Sequence, residues 1–342
     1  MTLSAEQNEA LDSLLSLAKT KPVVTLGGYA GTGKTTLIKE LIQQLPRPKI
    51  AAFTGKAADV LRRKGIDAST IHSLIYEIQL DPMTGKPMKS ASGGPIWVRK
   101  KSIQADSIVI DESSMLTEEL YNDLLSYGKP MYVIGDHGQL PPVGDDFNIM
   151  ESPDITLETI HRNAGEIARF AEHLREGNPA SSFSPENDQV VIGDFDVLKT
   201  KPDQAICGFN KSRHNLNEAI RHSLGFSGRI REKERVMVLA NNKECQVFNG
   251  MQGIVTSVTA KSLTFDVDGS LRTMPVYHKN PESKKNARWQ VPYSFGYAAT
   301  CHKCQGSEYP VVHVFEEQCP YWEAHRWSYT AASRAQERII WS

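Results

Sequence analysis

The chain has no apolar run near the roughly 20 residues that a helix needs to cross a bilayer, so membrane insertion is not expected. Met1 to Thr20 lacks the basic start and apolar core of a signal peptide and reads as an amphipathic helix carrying Glu6, Glu9 and Asp12, so a cytoplasmic protein is expected. Cysteine is scarce, with five residues that lack disulfide-framework spacing and so fit reduced thiols. The run Cys301-His302-Lys303-Cys304 has no second ligand pair at finger or ribbon spacing, which argues against a structural zinc site. Net charge is nearly absent too: 39 Lys and Arg against 40 Asp and Glu leave −1, which excludes a globally basic nucleic-acid binder. Any polyanion must then be held by a local groove. Lys56 with Arg62-Arg63-Lys64, Arg99-Lys100-Lys101, and Lys284-Lys285 with Arg288 are candidate stretches, each of which alone reads as solvated surface charge.

What is present is an alternation of short apolar runs and longer helical stretches, without repeats or low-complexity linkers. Its 342 residues exceed one ordinary core, so two or more domains are expected. Val23-Leu26, Ile50-Phe53, Ile108-Ile110 and Met131-Ile134 are of the length and character of buried parallel strands in an α/β sheet. Ala205-Phe209, Val311-Phe315 and Arg338-Trp341 imply a second such sheet. Two segments break this rhythm. Between Tyr76 and Gln104 the turn-rich stretches Asp81-Pro82-Met83-Thr84-Gly85 and Ser92-Gly93-Gly94-Pro95 mark an excursion from the first domain. From Arg235 to Pro292 short strands such as Gly253-Val258 and Leu263-Val267, with turns at Asn249-Gly250 and Asp268-Gly269, suggest a small inserted β-barrel.

The chemistry begins at Gly28-Tyr29-Ala30-Gly31-Thr32-Gly33-Lys34-Thr35, which fits G-x-x-x-x-G-K-[ST] between the strand Val23-Leu26 and the helical pattern Thr36-Leu45. Glycines there let backbone N–H groups wrap phosphate oxygens, and the helix N-terminus adds a favourable dipole; Lys34 is suited to the β/γ-phosphates and Thr35 to Mg²⁺. A chance Gly-rich turn is the bland alternative. Ser107-Ile108-Val109-Ile110-Asp111-Glu112 then brings two carboxylates to a strand end, where ligands sit in open α/β sheets. Asp111 is placed to hold Mg²⁺ and Glu112 to take a proton from an attacking water, the mark of a hydrolase. The rival reading is an ordinary acidic surface pair. After Met131-Ile134, the stretch Gly135-Asp136-His137-Gly138-Gln139-Leu140-Pro141-Pro142-Val143 puts Gln139 where it can report the γ-phosphate, with a rigid Pro pair behind it.

These residues resemble superfamily 1 helicases of the RecD/Dda branch. Asp111-Glu112-Ser113-Ser114-Met115 resembles motif II, and Gly135-Asp136 with Gln139-Leu140-Pro141-Pro142-Val143 resembles motif III. Thr54-Gly55-Lys56-Ala57-Ala58 is similar to motif Ia, and Ala68-Ser69-Thr70-Ile71-His72-Ser73-Leu74 to its DNA-contacting neighbour. Tyr297 to Ser307 resembles motif V and Tyr329-Thr330-Ala331-Ala332-Ser333-Arg334-Ala335 motif VI, so the resemblance runs from Gln7 to Arg334.

The resemblance implies an α/β fold of two RecA-like P-loop NTPase domains with parallel sheets, carrying a β-hairpin insertion and an SH3-like β-barrel insertion. The expected bounds are 1–150 with the hairpin at 76–104, 151–234 with 293–342, and 235–292 for the barrel. It implies catalytic roles for Lys34, Asp111, Glu112, Gln139, Arg162 and Arg334, the two arginines reaching the γ-phosphate from the second domain; structural ion pairs are their alternative. Gly28, Ala30, Gly31, Thr32, Gly33, Lys34, Thr35, Thr36, Gly306 and Glu308 are implied at the nucleotide, ATP, with Mg²⁺ on Thr35 and Asp111. Gln7 is implied at the adenine edge, but Ser4-Ala5-Glu6-Gln7 also fits a capping box, and one amide does not readily serve both. Thr54, Lys56, Thr70, His72, Pro141, Asn249, Thr300, His302 and Lys303 are implied on DNA, as contacts that hold a strand without reading its sequence. The excursion before motif II resembles the duplex-splitting pin, with Trp97, Ile96 or Met83 as its wedge.

The expected activity is ATP-driven 5′-to-3′ translocation on single-stranded DNA with unwinding of duplex. Expected partners are single-stranded DNA, single-strand/duplex junctions, and a single-strand-binding, replication or recombination protein. Two rivals remain: a translocase or helicase subunit that does not unwind alone, and a P-loop ATPase acting on something other than nucleic acid. Contacts to the backbone distinguish RNA from DNA poorly unless the 2′-OH is read.

Overall fold

The computed structural model describes residues 3–85, 88, 96–141, 147–159, 165–242, 245–267, 269–283 and 290–342. Arg162 with His161, Pro142 and Val143, the Ser92–Pro95 turn, Asp268, and Lys284, Lys285 and Arg288 lie outside the described residues. The chain divides into two compact units, one of Met1–His137 with Pro141–Arg162 and one of Gly138–Leu140 with Asn163–Ser342.

The first unit is built on a six-stranded parallel sheet in the order β3-β2-β6-β7-β1-β8. Its strands are β1 (Val23–Gly28), β2 (Pro48–Ala52), β3 (Ala68–Thr70), β6 (Ser107–Asp111), β7 (Met131–Gly135) and β8 (Ile155–Leu157). Strands β6 and β7 are buried at every residue, as expected where helices cover both faces of a parallel sheet. Helices α1 (Ala5–Leu17), α2 (Lys34–Gln44), α3 (Gly55–Arg63), α4 (Ile71–Ile75) and α5 (Glu118–Leu125) complete it. Hydroxyls start four of them: Ser4, Thr54, Thr70 and Thr117 each accept a backbone N–H two or three positions into the helix that follows. Leu14, Val24, Leu26, Leu37, Ile38 and Ile134 meet in one core on this sheet, and Ile71, Ile75, Ile108, Ile110 and Val133 in another.

This unit extends past the expected boundary at 150, because Ile155–Leu157 pairs with Leu26–Gly28 as the sixth strand. Glu6 of α1 ties that edge down by accepting the Glu158 N–H at 2.7 Å. The excursion after α4 is a two-stranded antiparallel ladder of β4 (Tyr76–Ile78) and β5 (Trp97–Arg99).

In the second unit, β9 (Val190–Ile192), β10 (Gln204–Cys207), β16 (Ala298–Thr300), β17 (Tyr309–Val314) and β18 (Ala335–Trp341) form a parallel sheet in the order β16-β10-β17-β18-β9. It is flanked by α6 (Glu166–Arg175), α7 (Val197–Thr200), α8 (Asn210–Ser223), α9 (Cys301–Cys304) and α10 (Ala324–Ala332). A separate antiparallel sheet, β14-β13-β12-β11-β15, joins β11 (Arg235–Val238), β12 (Gln252–Val258), β13 (Ser262–Val267), β14 (Ser270–Pro275) and β15 (Tyr293–Phe295). The insertion therefore runs beyond 292, since Tyr293–Phe295 is its fifth strand. Its core of Val236, Val255, Leu263, Phe265 and Tyr293 is its own. A buried ion pair anchors it: Arg221 of α8 donates to Glu234 just before β11 at 2.6 Å and lies 3.5 Å from the Phe295 ring centroid. No helix among the described residues is long and apolar enough to cross a membrane.

Candidate functional site

In the first unit the loop after β1 turns through two left-handed glycines, Gly31 (φ 87°) and Gly33 (φ 83°), conformations that a side chain would strain. A Cβ on Gly28 would stand 2.7 Å from the Thr32 hydroxyl, so that position needs glycine for a different reason, close approach. Gly33 caps α2 without any side-chain bond, leaving the first N–H groups of that helix facing the loop. Lys34 folds back, its Nζ donating to the carbonyls of Gly28 at 2.6 Å and Tyr29 at 2.9 Å. Thr32 is buried, while Ala30, Thr35 and Thr36 are half-buried around the same turn.

Of the two readings of Gln7, the structure forms the capping box. Its Oε1 accepts the Ser4 N–H at 3.0 Å and its N–H donates to the Ser4 hydroxyl at 3.2 Å. The amide nitrogen is turned inward, donating to the Thr32 carbonyl at 3.0 Å. Both ends of this buried side chain are thus bonded within the protein, one to a helix start and the other to the phosphate-type loop.

Strands β6, β7 and β1 are neighbours, so their C-terminal ends bring Asp111, Gly135 and Gly28 to one edge of the sheet. Asp111 is buried, and burial together with the adjacent Glu112 carboxylate pushes its carboxyl well above the usual range. Glu112 itself has a left-handed backbone (φ 54°), uncommon for a non-glycine residue and a point of local strain at the strand end. Ser113 locks the turn by donating to the Ile134 carbonyl at 2.9 Å. On the other flank the Tyr29 ring lies 4.3 Å from that of His137, a contact between the loop and the segment after β7 that motif spacing did not suggest.

The hydroxyls of Thr54 and Thr70 cap α3 and α4, and Thr70 also donates to the Ser73 hydroxyl at 2.8 Å. Lys56 is half-buried on α3, His72 is exposed on α4, and the His72 and Tyr76 rings are 5.5 Å apart. All four lie at or just after the ends of the neighbouring strands β2 and β3.

In the second unit three distant segments meet at Leu140. Its N–H donates to the Thr330 hydroxyl at 3.0 Å and its carbonyl accepts from Gln305 Nε2 at 3.1 Å, while Arg326 reaches the Gln139 carbonyl at 3.3 Å. Beside Thr330, Arg334 is buried and donates to three uncharged oxygens: the Thr330 carbonyl at 3.0 Å, the Ser307 carbonyl at 3.1 Å and the Ser333 hydroxyl at 2.8 Å. No carboxylate among the described residues neutralises it. Gly306 has φ 70°, and Glu308 is exposed and accepts from Gln336 at 2.7 Å.

Thr300 is buried at the end of β16; His302 and Lys303 are half-buried on α9, and burial lowers the imidazole pKa of His302. Asn249 is exposed, its N–H donating to the Asn241 side chain at 2.8 Å, and Pro141 is half-buried. Cys301 and Cys304 are buried free thiols, and burial pushes the Cys301 thiol well up, away from the thiolate that binds metal.

A family model described as an AAA domain matches residues 2–195, more than half of the chain, and one described as a UvrD-like helicase C-terminal domain matches residues 295–340. The chain is 28% identical to the ATP-dependent RecD2 DNA helicase of Deinococcus radiodurans, across 99% of this chain and 48% of that protein. It is 32% identical to the ATP-dependent DNA helicase dda of Enterobacteria phage T4, across 65% of this chain and 57% of the relative. The chain thus spans about half the length of these relatives. Among solved structures, that of Bacteroides Pif1 bound to single-stranded DNA superposes with a TM-score of 0.68 at 20% identity, covering 100% of this chain and 92% of that one, a likeness of fold. With motifs, parallel sheets and family match in agreement, the chain belongs to the AAA-domain family, within the RecD/Dda-like group of superfamily 1 helicases.

Proposed function

We propose that this chain hydrolyses ATP to move along single-stranded DNA in the 5′-to-3′ direction and to separate duplex at a junction. The observation that carries the reading is Arg334, a buried guanidinium whose acceptors among the described residues are all uncharged, seated beside the Leu140 knot. Burying a charge without a counter-charge is costly, and an arginine so prepared suits a phosphate oxyanion that arrives and leaves.

On the first unit, Gly28 to Thr36 would wrap the phosphates, with Lys34 exchanging the Gly28 and Tyr29 carbonyls for phosphate oxygens. A Thr35 hydroxyl and a buried Asp111 carboxylate whose proton affinity is raised are oxygen donors that fit Mg²⁺, which when bound supplies charge neutralisation of the phosphates. Glu112 would orient water and take its proton. Gln7 would hold the loop through Thr32, and Gln139, next in chain to the Leu140 knot, would pass the state of the γ-phosphate to the segments around Thr330 and Gln305. Gly306 and Glu308 are assigned to the nucleotide with Arg334 and Arg162.

Thr54, Lys56, Thr70 and His72 on the first unit, with Pro141, Asn249, Thr300, His302 and Lys303, would hold the strand through its backbone. Hydroxyl, imidazole and lysine contacts of that kind let a motor pass any sequence. The antiparallel sheet of the second unit is assigned as the SH3-like insertion, and the β4–β5 ladder as the base of the strand-separating hairpin. A cytoplasmic location and a single-strand-binding or replication protein as partner belong to the same reading.

ATPase measured with single-stranded DNA, single-stranded RNA and neither, followed by strand displacement from forks with 5′ or 3′ tails, tests it. Stimulation by DNA and use of the 5′ tail are expected. An ATPase indifferent to nucleic acid, or selective use of a 3′ tail, would overturn the activity or the polarity respectively.

A further inference from the structure

Among the described residues the β4–β5 ladder pairs three residues on each strand, continued by the Gln79 N–H to the Ile96 carbonyl, and a two-stranded hairpin on its own is marginal in water. A feature that pushes against a duplex has to be stiffer than its own ladder makes it. The structure supplies the stiffness at the root, where α5 and the turn behind it hold both strands.

Asp123 of α5 accepts from the Tyr76 hydroxyl on one strand and from Arg99 on the other, the latter at 3.0 Å. Tyr76 and Arg99 are directly paired across the ladder, so one carboxylate spans the pair. Arg99 also donates to the Ser126 hydroxyl at 2.8 Å. One residue on, the Tyr127 hydroxyl lies 2.9 Å from the carbonyls of both Ile75 and Lys100, the residues that immediately precede β4 and follow β5. Lys100 closes the same root by donating to the Ser73 and Leu74 carbonyls at 2.7 and 2.9 Å. Burial and the Asp123 carboxylate raise the Tyr76 hydroxyl far above the working pH, which keeps it a donor. Every one of these bonds crosses from the hairpin root to α5, its following turn or α4. None is needed to form the nucleotide loop or to carry Asp111.

We propose that Asp123 and Tyr127 are positioning residues for strand separation: they lock the hairpin root on α5 so that the hairpin meets the duplex as a strut and not as a loose ribbon. The inference rests on the reading of β4–β5 as the base of the strand-separating element. It assigns to α5 a part in unwinding that is separable from ATP hydrolysis and from grip on single-stranded DNA.

The test uses the full chain as wild type, Tyr127→Phe, Asp123→Asn and the double variant. Tyr127→Phe removes a single oxygen and keeps the ring packing, so folding is preserved. Three readouts are compared: ATPase stimulated by single-stranded DNA, displacement from a forked duplex, and amide exchange of Glu77, Val98 and Lys100. The double variant is expected to keep its DNA-stimulated ATPase within about twofold while displacement falls about tenfold and the hairpin amides exchange about tenfold faster, the scale of losing one or two net hydrogen bonds. Unchanged displacement beside an active wild type overturns the positioning role, as does a proportional loss of ATPase and displacement, which would indicate general damage. A wild-type protein that is stimulated by DNA but displaces nothing overturns the functional reading itself, and unchanged exchange in the variants then overturns the clamp on its own evidence.

Discussion

Replacing Gln7 by Ala separates two things that its amide does. The variant loses the Ser4 N–H bond to Oε1, one half of the capping box, and a buried bond to the Thr32 carbonyl, each worth about 1 kcal/mol, while the backbone N–H bond to the Ser4 hydroxyl stays. A loss of about 2 kcal/mol in a unit of this size lowers Tm by roughly 4–8 °C. The functional effect comes through the Thr32 carbonyl, which without its donor is free to turn and leave the loop less well shaped for phosphates. Because that defect lies at the phosphates, KM should rise by the same factor for ATP and for GTP. Gln7→Glu should bind nucleotide less well than Gln7→Ala, since a carboxylate can still cap α1 but faces the Thr32 carbonyl with a second acceptor and puts negative charge beside a phosphate loop. Steady-state ATPase with each nucleotide, beside thermal unfolding, measures all of this. A Gln7→Ala variant that loses ATP turnover while keeping GTP turnover would refute the loop-holding role and restore the reading of Gln7 as a base-edge contact.

Further outcomes follow from the same structure. Lys34→Ala and Glu112→Gln should each abolish ATP turnover with the far-ultraviolet circular dichroism unchanged, and substantial residual turnover in either would remove that residue from the chemistry. Arg221→Met leaves Glu234 buried without its cation and should destabilise the second unit by about 3–5 kcal/mol in denaturant titrations, whereas a loss under about 1 kcal/mol would mean the pair is dispensable. His313 is fully buried, with its pKa pushed down to about 4 by burial, between the Thr200 and Ser342 hydroxyls. Its folded form stays neutral while the unfolded chain takes up a proton below about 6.5, so its contribution is complete above pH 6.5 and is lost as pH falls towards 4. That amounts to about 2 kcal/mol between pH 7 and 5; in His313→Gln this part of the acid sensitivity should vanish, and an identical pH slope in variant and wild type would contradict it.

The strands that lead to the Lys34 loop and to Asp111 were legible because parallel strands covered on both faces need nearly continuous apolar residues, as in Val23–Gly28 and Ser107–Asp111. Those missed were three-residue strands, Ala68–Thr70, Ile155–Leu157, Val190–Ile192 and Ala298–Thr300, too short to show any period. Missing Ile155–Leu157 is what set the first boundary too early. Local spacing was enough to place the glycine loop around Lys34 between β1 and α2, since its turn is made by consecutive residues. It could not show the knot at Leu140, whose partners Gln305 and Thr330 lie 165 and 190 residues away. Nor could it show that the hydroxyls of Thr54 and Thr70 start helices, or that Asp123 spans a hairpin pair. For Gln7 both readings were written in the residues, but the bond to the Thr32 carbonyl was not, because it joins positions 25 residues apart.

The central claim is that the buried Arg334, whose partners among the described residues are all uncharged, exists for a phosphate. Single-turnover hydrolysis of ATP on single-stranded DNA, with nucleotide affinity measured on the same samples, tests it in Arg334→Ala and Arg334→Lys. The prediction is a fall of about 10³–10⁵ in hydrolysis rate with nucleotide affinity nearly unchanged in the Lys variant. Hydrolysis at the wild-type rate in either variant would contradict it.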